Sequence, residues 1–100
     1  MASDSFQISQ DAGNVGLSGD FDINARDELR SVLVRAVEAA DGSGVVVNFD
    51  RVTFLDSEAM GALIDGIVAG RDAGVRVSIV NAHGLVHRVL EVSGVLELCD

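Results

Sequence analysis

Val45-Val46-Val47-Asn48-Phe49-Asp50-Arg51-Val52-Thr53-Phe54-Leu55-Asp56-Ser57-Glu58-Ala59-Met60-Gly61-Ala62-Leu63 changes its period partway along. Residues 45–49 are an apolar, β-branched run too short for a helix, which predicts a central strand buried on both faces. Met60, Leu63, Ile64, Ile67 and Val68 then recur at helical spacing up to Gly74, which predicts a helix over residues 57–72. Between the two lies a loop that turns into the helix at Asp56 and Ser57. One of these should cap the exposed first-turn amides, because both are preferred residue types at a helix start. By spacing alone, Asp-Ser at this point is a capping signal.

Working outward, Phe6 and Ile8 alternate with polar neighbours, as do Val15 and Leu17, and Asp11-Ala12-Gly13-Asn14 between them reads as a hairpin turn. From Asn24 the period becomes helical: Ala25, Leu29, Val32, Leu33, Ala36, Val37 and Ala40 share one face. Asn24 is the expected cap of that helix, with Asp27 and Glu28 in its first turn and Gly42 just past its end. On the other side, residues 75–80 predict a strand. Val86, Val89 and Leu90 mark a third helix that starts near Gly84 and stops by Gly94, and residues 95–98 add a closing turn or an edge strand. The order β-β-α-β-α-β-α implies a single α/β domain over residues 1–100. Its small mixed sheet would have four to five strands, packed by three to four helices, with two parallel crossovers and a hairpin on one side.

Composition narrows the function. Of 100 residues, 48% are hydrophobic and 23% charged, enough apolar material for a real core. Sixteen acidic residues face seven basic ones, all arginine, for a net charge of −9. Such a surface is a poor partner for nucleic acid or anionic lipid, both of which need a basic patch. Asp4, Asp11, Asp20 and Asp22 precede the first arginine, so a basic protein partner would be steered to this end. With no apolar run near membrane-helix length and no signal-peptide pattern, the expectation is a cytoplasmic protein without membrane insertion. The one cysteine, Cys99, forms no internal disulfide or Cys-rich zinc cluster.

The segment from Val45 to Leu63, ending in Thr53-Phe54-Leu55-Asp56-Ser57-Glu58-Ala59-Met60-Gly61, resembles the signature of STAS domains, the family of anti-sigma factor antagonists. Leu17-Ser18-Gly19-Asp20-Phe21-Asp22 is similar to the family's second strand and its acidic end. Val77-Ser78-Ile79-Val80-Asn81 and Val89-Leu90-Glu91-Val92-Ser93-Gly94-Val95 are similar to its last strand and last helix. Four separated blocks in the right order cover almost the whole chain.

The resemblance implies a bacterial signal-transduction switch in transcription regulation, with no catalysis of its own. The unmodified protein would bind an anti-sigma factor that is also a serine kinase of the histidine-kinase-like ATPase type, releasing a sigma factor. Phosphorylation of Ser57 would end that binding, and a serine phosphatase would reset it. No cofactor is implied for this chain, since the ATP is used by the partner kinase. Asp20, Asp22, Asp56, Ser57, Glu58, Met60 and Gly61 are the implied partner-binding residues. After the acceptor the family pattern has a small hydroxyl residue and then glycine, where this chain has Glu58 and Ala59. Glu58 either favours the first helical turn or sets a fixed negative charge beside Ser57. The latter fits an alternative implied role: a constitutive docking subunit of a membrane-associated assembly such as a lipid ABC transporter.

Other features have plainer readings. His83 and His87 are four apart, but no third metal ligand accompanies them. Gly42-Ser43-Gly44 lacks the lysine and spacing of a phosphate-binding loop and is a turn. Asp20 and Asp22 are not completed into an acid-base or divalent-ion site and read as a partner-facing rim. No nucleophile-base pair argues for an enzyme.

Overall fold

A computed structural model of the chain describes residues 6–40 and 42–99; Asp4 of the acidic amino-terminal set lies outside them. Strands β1 (Phe6–Asp11) and β2 (Asn14–Phe21) form the expected antiparallel hairpin around the loop Ala12-Gly13. A side chain at Gly13 would lie 2.5 Å from the Gly44 carbonyl oxygen, so only glycine fits there. A 3-10 turn (Ile23–Ala25) leads into α1 (Arg26–Ala39), and β3 (Val45–Leu55), α2 (Ser57–Ala73), β4 (Val77–Val80), α3 (Gly84–Val92) and α4 (Val95–Leu98) follow. The sheet order is β1-β2-β3-β4, with β2–β3 and β3–β4 both parallel. This is the mixed four-stranded sheet with four helices that the pattern implies.

Four details differ from the sequence reading. The closing segment 95–98 is a helical turn and not an edge strand, and β4 begins at Val77 instead of Val75. The central strand does not stop at Phe49 but runs on to Leu55. Two register shifts explain the misreading. Gly16 pairs with Asn48 and Ser18 with Arg51, then Gly19 pairs with Val52 and Asp20 with Phe54, so β3 carries one extra residue at each step. Each bulge breaks the alternation, and the buried positions fall at 45, 47, 49, 52 and 55.

The fourth difference is that β3 is buried on one face only. Val15, Leu17, Val47 and Phe49 join Leu29, Leu33, Leu63, Ile67, Val86 and Leu90 in one buried cluster. The opposite face carries Ser9, Gly16, Asn48 and Val80 in register across the four strands, with Gln7 beside Ser18. Amide and hydroxyl side chains there keep hydration that a second layer of helices would remove without replacement. Helix α2 ends at Gly74, which takes φ 73° and donates its N–H back to Arg71, a left-handed stop that glycine adopts without a Cβ clash.

Candidate functional site

Strands β2 and β3 end side by side, with Phe21 opposite Leu55 and the Asp56 N–H donating to the Phe21 carbonyl at 3.0 Å. The residue after each strand is an aspartate, and each aspartate starts a helix. Asp22 accepts from the Asn24 N–H at 2.9 Å and sets the 3-10 turn that feeds α1. Asp56 Oδ1 accepts from the Ala59 N–H at 3.0 Å and caps α2. The expected Asn24 cap of α1 is not found: α1 starts after Ala25 with no side-chain cap, and Asp22 caps the 3-10 turn ahead of it. Asp22 leaves an extended backbone, φ −118°, which leaves its carboxylate aimed at the following amides.

Because Asp56 caps α2, Ser57 does not. Ser57 is the first residue of the helix and is exposed, and among the described residues its hydroxyl makes no side-chain hydrogen bond. The Ala59 amide is taken by the cap and Met60 begins the helical ladder by donating to the Asp56 carbonyl at 2.9 Å. The positive end of the helix dipole therefore sits at Ser57 and Glu58.

The acidic side chains around Ser57 are individually anchored. Thr53 Oγ1 donates to Asp20 Oδ1, so the exposed Asp20 is tied to the end of β3. Glu58 Oε1 accepts from Arg26 Nη1 at 2.9 Å, and Arg26 Nε donates to Asp27 at 3.3 Å. Hydrogen bonding to Glu58 first, and then to Asp27, holds the Arg26 guanidinium above its ordinary pKa. One helical turn further along α1, Arg30 pairs with Asp65 of α2 at 3.0 Å, so two ion pairs run between α1 and α2.

The implied partner-binding residues divide on this geometry. Asp20, Ser57 and Glu58 are exposed, Asp22 and Asp56 are half-buried caps, and Gly61 is half-buried with open space where a Cβ would stand. Met60 is not on this surface: at 8% exposure it belongs to the core cluster. Three residues not singled out in the sequence lie beside the acids. Ile23 and Phe54 are apolar yet 54% and 50% exposed, and they follow Asp22 and precede Leu55 on the two strand ends. Phe54 was readable only through the bulge that turns it outward. Arg26 is joined to Glu58 across 32 residues of chain, for which a single sequence holds no signal.

Away from this site, His83 precedes α3, and its Nε2 lies 2.9 Å from the Asp50 carbonyl oxygen. Among the described residues no group of three or more His, Cys, Asp or Glu side chains is placed to hold a metal ion, and no helix is long and apolar enough to cross a membrane.

Known proteins share this architecture. The unphosphorylated form of the anti-sigma factor antagonist SpoIIAA superposes with TM-score 0.73 at 22% identity, covering 93% of this chain and 84% of that one. The phosphorylated form of Bacillus SpoIIAA superposes with TM-score 0.68 at 22% identity, covering 94% and 86%. The murine anion transporter Slc26a9, in its inward-facing state, superposes with TM-score 0.66 at 22% identity; 89% of this chain covers 15% of that much longer one. In sequence, the chain is 24% identical over 84 residues to an anti-sigma F factor antagonist of Paenibacillus polymyxa, spanning 84% of this chain and 72% of the relative. The family model described as Mlab, STAS domain matches residues 5–100, and the chain belongs to the STAS domain family.

Proposed function

We propose that the chain is an anti-sigma factor antagonist that works as a phosphorylation switch at Ser57. Unmodified, it docks on an anti-sigma factor that is also a serine kinase of the histidine-kinase-like ATPase type, and a sigma factor is set free. Ser57 Oγ then attacks the γ-phosphorus of the kinase's ATP, the bond to the bridging oxygen breaks, ADP leaves, and the hydroxyl proton passes to a base of the kinase. A serine phosphatase returns the hydroxyl by hydrolysis. The protein itself is no enzyme, needs no cofactor and acts in the cytoplasm.

The observation that carries this reading is the division of labour at the start of α2. Asp56 performs the capping, which leaves the Ser57 hydroxyl exposed within a rim formed by Asp20, Asp22, Asp56 and Glu58. Phosphoserine brings about −1.5 to −2 charges to a helix end that favours anions, so the fold tolerates it. A partner covering the rim would have to desolvate that dianion among carboxylates, and binding is lost. The 24% identical antagonist relative supports the same reading.

Binding of the Ser57→Asp and Ser57→Ala variants to the cognate kinase, with unfolding midpoints measured in parallel, tests it. Ser57→Asp is expected to weaken binding by about tenfold or more, a loss of about 1.4 kcal/mol, with the midpoint nearly unchanged. Lost stability with unaltered binding would assign Ser57 to the helix start alone.

A second reading, a constitutive docking subunit of a membrane-associated assembly such as a lipid ABC transporter, is favoured by two features. Glu58 places a fixed negative charge directly after Ser57, and the matching family model is the Mlab one. On that reading the partner stays bound with or without ATP.

A further inference from the structure

Glu58 stands one residue after the acceptor and is held by a guanidinium from another helix. Arg26 opens α1, Ser57 and Glu58 open α2, and the Arg26 Nη1 to Glu58 Oε1 contact of 2.9 Å joins the two helix starts. Neighbouring Cα atoms are about 3.8 Å apart, so a phosphate on Ser57 comes within one side-chain rearrangement of the same guanidinium. Of the carboxylates on the elements that meet here, Asp27 and Glu58 both bind Arg26, while Asp22 is taken by the Asn24 amide, Asp56 by the Ala59 amide and Asp20 by Thr53.

Given the proposed modification of Ser57, we infer that Arg26 is the positioning residue of the modified state: it leaves Glu58 and takes the phosphoserine, an exchange of one anion for another on a single arginine. Two physical arguments favour the exchange. A phosphate of nearly two charges outcompetes a carboxylate of one for the same cation, and its oxygens match the guanidinium fork in a bidentate pair. Phosphate and Glu58, on adjacent residues, repel each other, which weakens the original pair from the other side.

The consequence is a two-part change of the rim. Phosphorylation adds a dianion that Arg26 partly neutralises, and it frees the Glu58 carboxylate, so the partner meets negative charge in a new place as well as at Ser57. The Arg30–Asp65 pair lies further along the same helix–helix seam, where Leu33 packed against Gly66 keeps the two helices in place. Glu58, one of the two residues that depart from the family pattern, thereby acquires a role: it parks the arginine while Ser57 is unmodified.

The test uses the full chain with phosphoserine installed at position 57 during synthesis, so no kinase is needed. The second ionisation of the phosphate is followed by phosphorus NMR in wild type, Arg26→Gln, Arg26→Lys and Glu58→Gln, with circular dichroism confirming the fold. Loss of the guanidinium is expected to raise that pKa by about half a unit or more. Arg26→Lys should fall between, because a point charge replaces a fork, and Glu58→Gln should lower the pKa by removing the competitor. The Arg26 Nε–H resonance should also move on phosphorylation in wild type. An Arg26→Gln value equal to wild type, with a stationary Arg26 resonance, would overturn the exchange. Either result stands apart from whether cells phosphorylate Ser57, which is decided by mapping the native protein.

Discussion

Along α2, the first turn and the turn from Gly66 to Gly70 have opposite surroundings. At the first turn Ser57 and Glu58 are exposed, the backbone is served by Asp56, and Gly61 borders open space. Two turns on, a Cβ at Gly66 would stand 2.7 Å from the Leu33 side chain of α1, and one at Gly70 would stand 2.7 Å from the Val75 carbonyl and 2.8 Å from Val77. Here the helix backbone itself is pressed against α1 and the strand approach. Within the 17 residues of one helix, an exposed first turn thus gives way to a tightly packed one. A rim whose side chains are not needed for packing can change charge without unfolding the domain.

Substitutions that break this contrast rank by depth. Leu63→Ala removes a fully buried side chain from the seam and is expected to cost about 2–5 kcal/mol in urea unfolding, with kinase affinity per folded molecule unchanged. Gly70→Ala forces a methyl against the Val75 carbonyl, a backbone atom that moves little, and should cost about 1–3 kcal/mol in the same assay. A stability loss near zero for Gly70→Ala would show that the approach relaxes freely.

Asp56→Ala sits on the border between the two regions. Loss of its bond to Ala59 is expected to lower stability by about 1 kcal/mol, and it should weaken partner binding at the same time. At the rim itself, Phe54→Ala should change stability by less than about 1 kcal/mol, since half of the ring is already in solvent. Its effect belongs to the complex instead, where removal of an exposed aromatic anchor should weaken kinase binding by about 1–2 kcal/mol by calorimetry. The reverse pattern, stability lost and affinity kept, would move Phe54 into the packing account.

The same contrast decides what could be read from the sequence. Helix α2 was legible because Leu63, Ile67 and the neighbouring apolar residues recur with a period that burial imposes, and Gly74 marks its end. The hairpin, α1 and the parallel order followed in the same way. The far half of β3 was not, because two bulges put its buried residues three apart, at Phe49, Val52 and Leu55, and a strand without alternation looks like a loop. The assignment of the central strand to a doubly covered position failed on Asn48, whose partners across the sheet, Ser9 and Gly16, are equally unsuited to burial.

At the site, Asp56 and Ser57 stood out because capping chemistry is local, and the structure separates the cap from its neighbour. Asn24 is a capping residue type by composition, yet the chain turns through a 3-10 step capped by Asp22 before α1 begins, which residue type alone does not show. Met60 entered the partner-binding set only through the family resemblance, and its side chain, at 8% exposure, belongs to the core cluster instead. The Arg26–Glu58 and Thr53–Asp20 contacts join residues more than thirty apart, and charge alone does not say which partners meet.

Whether Ser57 is a phosphorylation switch as well as the first residue of α2 is decided most directly by intact-mass analysis with site mapping of the protein from its native cells. A phosphate on Ser57, absent from a Ser57→Ala control, with the kinase bound to the unmodified form only, is the expected result. Ser57 unmodified under every growth condition, with a transporter subunit stably attached, would contradict it.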